Sequence, residues 1–533
     1  MPALGDAGDE KMTARTDAVD LFVIGGGVNG CGIARDAAGR GLRVRLAEMG
    51  DLAQATSSAS TKLFHGGLRY LEYLEIKLVR EALSEREVLI RAMPHISWPM
   101  RFVLPYSADM RFESDTPVSK MLSAVMPWMK GKRPSWMIRS GLFLYDHLGG
   151  QRLLPGTKRL DLRGSPEGAP LRDKFVHAFE YSDGWVQDAR LVVLNARDAE
   201  ARGADIRVQT KVIEAHRDGG HWVITTEGPN GREEHLARAV VNAGGPWVEQ
   251  ILKGTMGSAS REHVRLVRGS HIVTRKLYDH DKCYFFQGSD GRIIFAIPYE
   301  QDFTLIGTTE AAHEGSPLTA ECTEDERDYL CDFASQYFKQ EVTPDDVVWT
   351  YSGVRPLYED GASSATAATR EYVLSLDAPA GQPAALHVFG GKITTYRRLA
   401  EDALAKLRPH LPGMGGPWTK GAHLPGGDFT PEEVGAKIAK LSQDYPFVNF
   451  KWAERMIRHY GTEAWDIFGT AKTPDDLGRD FGATLTEAEL RWLVDKEWAR
   501  KVEDVIWRRT KLGLRLDADQ VNSVAAWLEE HAG

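Results

Sequence analysis

The sequence predicts an α/β fold, α+β over the whole chain, and three observations carry that prediction. An apolar strand close to the N-terminus runs into a glycine-rich loop and then a helix of small residues. The stretch 261–349 is rich in short runs of β-branched and aromatic residues bounded by turn residues. From about Pro412 the pattern changes to helices with recognisable starts.

The first element is a βαβ unit from Asp20 to Glu48. The strand Leu21-Phe22-Val23-Ile24 leads into Gly25-Gly26-Gly27-Val28-Asn29-Gly30. A helix follows, with Ile33, Ala34, Ala37 and Ala38, and stops at Gly39-Arg40-Gly41. A second strand, Leu42 to Ala47, ends in Glu48. Gly25 permits the tight turn, Gly27 lets backbone approach a pyrophosphate, and Gly30 lets helix and strand pack closely. The helix N-terminus offers free N–H groups and the positive end of its dipole to phosphates. Glu48 stands where a carboxylate accepts hydrogen bonds from an adenosine ribose, and its charge disfavours a 2′-phosphate. This arrangement predicts dinucleotide binding, with FAD or NAD favoured over NADP.

Three later segments narrow the choice. Thr56-Ser57-Ser58-Ala59-Ser60-Thr61-Lys62 continues into Leu63-Phe64-His65-Gly66-Gly67-Leu68-Arg69-Tyr70, too polar for a core element. Ala239 to Trp247 reads as a strand ending in a glycine turn at Gly244-Gly245. Val388-Phe389-Gly390-Gly391-Lys392-Ile393-Thr394 joins a strand to a long helix. Together, "IGGGVNGCGIARDAAGRGL", "TSSASTKLFHGGLRYLE", "WTYSGVRPL" and "FGGKITTYR" resemble the FAD-dependent glycerol-3-phosphate dehydrogenases of the bacterial aerobic, membrane-associated, quinone-reducing kind. The likeness runs from about Asp20 to the last helix. It departs at the polar tail 1–19, at an insertion from Asp109 to Arg133, and at Gly244, where the family usually has Thr.

The resemblance implies an FAD-binding domain of the glutathione-reductase/D-amino-acid-oxidase type, assembled from 17–95, 180–260 and 350–410. A mixed-sheet substrate domain would come from 96–179 and 261–349, and a helical domain from 412–533. Expected FAD contacts are Gly25, Gly27, Asn29, Gly30, Glu48, Thr56, Ser57, Ser58, Lys62, Gly66, Gly67, Gly244, Gly353, Gly390, Gly391 and Thr394. The implied reaction is oxidation of sn-glycerol 3-phosphate to dihydroxyacetone phosphate, with electrons passed to a membrane quinone. A glycerol-3-phosphate oxidase that uses O₂ is the alternative within the family, and a non-catalytic flavin-binding sensor the alternative outside it. A homodimer stays open.

Oxidising that substrate requires an anchor for a phosphate dianion and a group to take the hydroxyl proton. Arginine matches phosphate bidentately; the candidates are Arg69, Arg355, Arg370 and Lys392, with Tyr70 beside them. Pro356 holds Arg355 out of helical geometry. Histidine has the acidity for proton removal, near pKa 6.5 unperturbed. His65 is the first candidate and His271 the second, with Arg355 and Lys392 also placed at the catalytic centre. The helix from Thr394 would present its N-terminal dipole to the reduced flavin.

Composition sets the outer bounds. The chain has 533 residues and a net charge of −9, which argues against general nucleic-acid binding. Cys31, Cys283, Cys322 and Cys331 show no metal spacing, so no metal site is expected and a reducing compartment fits better. Residues 1–19 lack an apolar core, which argues against a signal peptide. No run reaches about 18 apolar residues, so membrane contact would be peripheral, on the inner face of the cell membrane. Lys120 to Arg139, rich in Met and Trp and flanked by cations, is the segment suited to the headgroup region. Leu71 to Ala92 reads as an amphipathic helix with Leu71, Leu74, Leu78, Ala82 and Leu89 on one face. Thr430-Pro431-Glu432-Glu433 and Thr486-Glu487-Ala488-Glu489 read as helix starts, the second a capping box.

Overall fold

The computed structural model describes residues 18–106, 135–149, 153–288, 292–359 and 372–532. Its first sheet has eight strands. Five run parallel, in the order Ala384–Phe389, Gly231–Asn242, Val19–Ile24, Val44–Ala47 and Asp205–Arg207. Val373–Asp377 closes one edge antiparallel, and the hairpin of Lys211–Asp218 with His221–Gly228 branches from Gly231–Asn242. The helices Val28–Gly39, Asp188–Ala201 and Tyr396–Leu407 cover it through one apolar cluster including Leu21, Val23, Ile33, Ala37, Val192, Val241 and Leu404. Burial on both faces is why these strands are continuous apolar runs rather than alternating ones.

A second sheet of ten strands, mostly antiparallel, carries Val264–Arg275, Ile293–Tyr299 and Phe303–Gly307, the segments read as strands from sequence. It also takes in Leu63–Phe64, Ser97–Tyr106, His177–Val186 and Val347–Tyr358. The boundaries expected at 180 and 350 therefore fall inside strands. Hydropathy marks a strand without saying which sheet it joins. The amphipathic helix begins at Ile76, not Leu71. Leu68–Tyr73 is a 3₁₀ turn, and Leu74 ends it at φ 62°, exposed rather than on the buried face.

The C-terminal part is helical, with Val434–Asp444, Phe450–Tyr460, Glu487–Glu497 and Ala518–His531 around their own apolar cluster. Thr430 and Glu433 form the expected cap. At Thr486 only half of the capping box exists. The threonine hydroxyl accepts from Glu489 N–H, but both Glu489 carboxylate oxygens go to Arg455, at 2.6 and 2.7 Å, in a bidentate ion pair.

A buried ion network locks these helices onto the nucleotide-binding unit. Arg509 donates twice to Asp51, both bonds at 2.7 Å, and Arg508 donates to the same carboxylate. Arg509 also donates to the Glu497 carbonyl, and Glu497 pairs with Arg190 on the helix Asp188–Ala201. Burial alone would raise the Asp51 pKa, yet Arg509 and Arg508 outweigh it and hold it below the ordinary value. A depressed carboxylate stabilises the fold above its unfolded pKa, and that contribution disappears as pH falls through its folded pKa. Asp51→Ala should therefore lower unfolding free energy by about 3–5 kcal/mol at neutral pH, the size expected when a buried pair loses one partner. In denaturant melts the gap from wild type should narrow as pH drops below about 4; an equal gap at all pH values would show the pairing contributes nothing.

Candidate active site

Five chain segments converge on one cavity of about 270 Å³. The loop Thr56–Thr61 supplies Thr56, Ser57, Ser60 and Thr61, and the end of Leu63–Phe64 supplies His65. The paired strands Val264–Arg275 and Val347–Tyr358 supply Gly269 and His271, and Gly353 and Arg355. The turn after Ala384–Phe389 supplies Gly390, Gly391, Lys392 and Thr394, the stretch after Phe303–Gly307 supplies Thr308 and the carboxylate Glu310, and Tyr70 and Val28 add to the wall. Side chains two apart on a strand share a face, which is why His271 with Gly269, and Arg355 with Gly353, point the same way. The glycines make the room: a β-carbon on Gly269 would lie 2.6 Å from Arg355 Nη2, and one on Gly353 2.8 Å from Ala59.

His271 is the most constrained of these groups. Its Nε2 lies 2.9 Å from Thr61 Oγ1, and its ring stacks on Tyr351 at 4.7 Å and 12°. Nδ1 is buried and has no hydrogen-bond partner among the described residues. Burial, then the nearby charges of Lys62 and Arg355, hold the imidazole well below its ordinary pKa, so it is neutral at pH 7. His65 is half-buried at the same cavity. The Lys392 ammonium sits 4.0 Å over the Tyr70 ring.

The nucleotide-binding end is built as its glycines require. Gly25 has φ 111°, and β-carbons at Gly25 and Gly30 would lie 2.6 Å from Ala243 O and 1.9 Å from Gly25 O. Ser57 Oγ accepts from Val28 N–H at 3.0 Å, which brings the hydroxyl loop to the helix N-terminus. A β-carbon on Gly27 would face that hydroxyl at 3.1 Å. Asn29 donates to Gly390 O at 3.1 Å and leaves its buried Oδ1 without a partner among the described residues. Glu48 accepts from Gly26 N–H at 2.6 Å and Gly50 N–H at 2.9 Å, and burial raises its pKa. Glycine loop, helix terminus, unpartnered Asn29 Oδ1 and acidic strand end fit a flavin dinucleotide.

Several of the expected site residues do not line this cavity. Lys62 is fully buried, and its ammonium pairs with both Asp188 oxygens at 3.0 and 2.9 Å instead of lining the cavity. Gly66 donates to Tyr145 OH and packs under Leu83, and Gly67 forms the turn at φ 74°; both shape the chain behind His65. Arg69 is half-buried on the 3₁₀ turn and does not line the cavity. The Ser58 carbonyl receives Lys62 while its hydroxyl donates to Ala55 O. Gly244 lies under Ile251, whose Cδ1 would be 2.3 Å from a β-carbon, so a larger residue here requires the end of that side chain to move. Arg370 and residues 120–134 lie outside the described residues. Sequence reasoning missed Asp188, Thr61 and Tyr351. Tyr351 was visible within WTYSGVRPL, whereas nothing local marks Asp188 as the partner of Lys62.

Comparison with known proteins agrees with this geometry. The family model for FAD dependent oxidoreductases matches residues 20–397, and the model for the C-terminal domain of alpha-glycerophosphate oxidase matches 418–532. The chain belongs to the FAD-dependent oxidoreductases. It is 47% identical to D-erythritol 1-phosphate dehydrogenase of Brucella abortus, over 97% of this chain and 99% of that protein. It is 45% identical to aerobic glycerol-3-phosphate dehydrogenase of Escherichia coli, over 96% and 97% respectively. The solved glycerol-3-phosphate dehydrogenase of Bacillus halodurans, complexed with FAD, superposes with a TM-score of 0.71 at 25% identity, covering 97% of this chain and 91% of that one. The protein is an FAD-dependent oxidoreductase. Among the described residues no helix is long and apolar enough to cross a membrane, and no side-chain cluster could hold a metal ion.

Proposed function

We propose that this enzyme oxidises sn-glycerol 3-phosphate to dihydroxyacetone phosphate in the cavity between His65, His271, Arg355 and Lys392. The observation that carries the reading is two cationic side chains sharing one small cavity with a neutral, fixed histidine. Gly25–Gly30, Glu48, Ser57, Asn29 and Gly390–Thr394 would hold FAD, which when bound supplies the hydride acceptor for C2. Arg355 and Lys392 hold the phosphate dianion. His271 takes the C2 hydroxyl proton, its ring oriented by Thr61 and Tyr351, and the bound phosphate offsets the Arg355 charge that opposes imidazole protonation. His65 is the alternative base. The nucleotide-binding unit would comprise the first sheet and its three helices, and the substrate domain the second sheet.

A second substrate has specific support. The relative that acts on D-erythritol 1-phosphate is as similar to this chain as those named for glycerol 3-phosphate. Both are polyol phosphates with a secondary alcohol beside the phosphate-bearing end, so the same anchor and base serve either. Comparing kcat/KM for the two decides between them.

Electron transfer to a membrane quinone is the proposed exit, with O₂ as the alternative acceptor. The helix Ser135–Leu148 supports peripheral contact with the inner membrane face: Trp136, Phe143 and Leu144 are exposed at 55%, 63% and 40%. Trp136→Glu with Phe143→Glu should abolish cosedimentation with anionic vesicles; retained cosedimentation would remove this helix from that role. Arg355→Ala should raise KM for glycerol 3-phosphate steeply, by about 2–5 kcal/mol in apparent binding, with FAD content unchanged. A KM within about threefold of wild type would place the anchor elsewhere. His271→Asn should cut turnover by about 10²-fold or more at full FAD occupancy, whereas a larger loss in His65→Asn would transfer the base to His65.

A further inference from the structure

A second cavity lies apart from the candidate active site and exceeds it in volume. It is a cleft of about 960 Å³ between the second sheet and the C-terminal helices, and it shares no lining residue with the cavity around His271. Its volume lies at the upper end of the range for small-molecule sites, and domain interfaces are where such sites concentrate.

The lining combines aromatic surface with one weakly bonded guanidinium. Trp98, Trp185, Phe450 and Trp452 supply the apolar walls, and Phe450 is 62% exposed at the opening. Arg458 stacks its guanidinium 4.3 Å over the Trp98 ring, and its one hydrogen bond among the described residues is a long one, 3.5 Å, to the Pro94 carbonyl. It makes no salt bridge among the described residues, and Glu454, one turn earlier on its helix, is bonded to Gln301. Burial accordingly pushes the Arg458 pKa down to about 10. A guanidinium is a donor only, so the complement of Arg458 is an acceptor-rich anion. Of the other lining acids, Asp302 is paired with Arg515 and Lys451, Glu300 lies 3.5 Å from Gln187, and Asp281 is exposed at the rim.

The backbone is also unusual here. Glu300 and Gln301 have φ of 45° and 68°, and Ala483 and Thr484 of 49° and 71°. Four of the ten non-glycine residues with positive φ among the described residues thus border this cleft. Backbone held in this region costs free energy and concentrates at ligand sites.

We propose that this cleft binds an organic anion with a planar apolar body, its charge on Arg458 and its body against Trp98, Trp185 and Trp452. Titration of the FAD-loaded full chain with 8-anilinonaphthalene-1-sulfonate, a fluorescent aromatic monoanion, tests this. Saturable binding of one probe per chain is expected, not displaced by glycerol 3-phosphate. Arg458→Gln should weaken it by about tenfold or more. Phe450→Glu alters only an exposed side chain at the opening and should weaken binding through charge, with the melting temperature unchanged. The absence of a saturable site, affinity unchanged from wild type in Arg458→Gln, or competition by glycerol 3-phosphate would overturn the assignment. Because the probe is read independently of turnover, failure here leaves the proposed oxidation untouched.

Discussion

The ion pair between Lys62 and Asp188 is the constraint on which the cavity depends. Both side chains are removed from water, at 0% and 1% exposure, so each charge is tolerable only while the other stays in place. Asp188 has its remaining acceptor capacity filled by Ser60 N–H, the Ser60 hydroxyl and Ala189 N–H. Lys62 adds the Ser58 carbonyl and occupies φ 59°, a conformation unfavourable for a residue with a β-carbon. The loop that carries Thr56, Ser57 and Thr61 is therefore fixed from beneath by the N-terminus of the helix Asp188–Ala201. That end of a helix favours a carboxylate.

Two consequences follow at the cavity. Fixing Ser57 places its hydroxyl on the N–H of Val28, joining the glycine loop to the substrate side. Fixing Thr61 orients His271, while Tyr351 stacks on that ring, accepts the Lys62 cation at 4.8 Å and donates to the Ser60 carbonyl at 2.9 Å. Burial does most to keep His271 unprotonated, and the same buried ammonium that organises the loop adds to it, as does Arg355.

Features set by a single residue's backbone were legible in the sequence. Gly25, Gly30 and Glu48 announce a turn, a close approach and a strand end within one short segment. The strands of 264–307 and the cap at Thr430 are equally local. Pairings between distant segments were not legible: Lys62 meets Asp188 across 126 positions and Arg509 meets Asp51 across 458. Each of these residues alone looks like an ordinary surface charge. Lys62, Gly66 and Gly67 were read as FAD contacts, and their burial beneath the cavity wall depends on strands His177–Val186 and Val347–Tyr358 joining the second sheet. The cleft around Arg458 left no local trace, because its walls come from elements that only tertiary packing brings together.

The account rests most heavily on the claim that this cavity passes the electrons of a polyol phosphate to FAD. The direct measurement is an anaerobic titration of the purified yellow protein with glycerol 3-phosphate, D-erythritol 1-phosphate and unphosphorylated glycerol, followed by flavin absorbance. The account predicts stoichiometric bleaching by glycerol 3-phosphate and none by glycerol at the same concentration. A flavin that stays oxidised with glycerol 3-phosphate but bleaches with D-erythritol 1-phosphate would reassign the substrate, and one that stays oxidised with both phosphates would contradict the account.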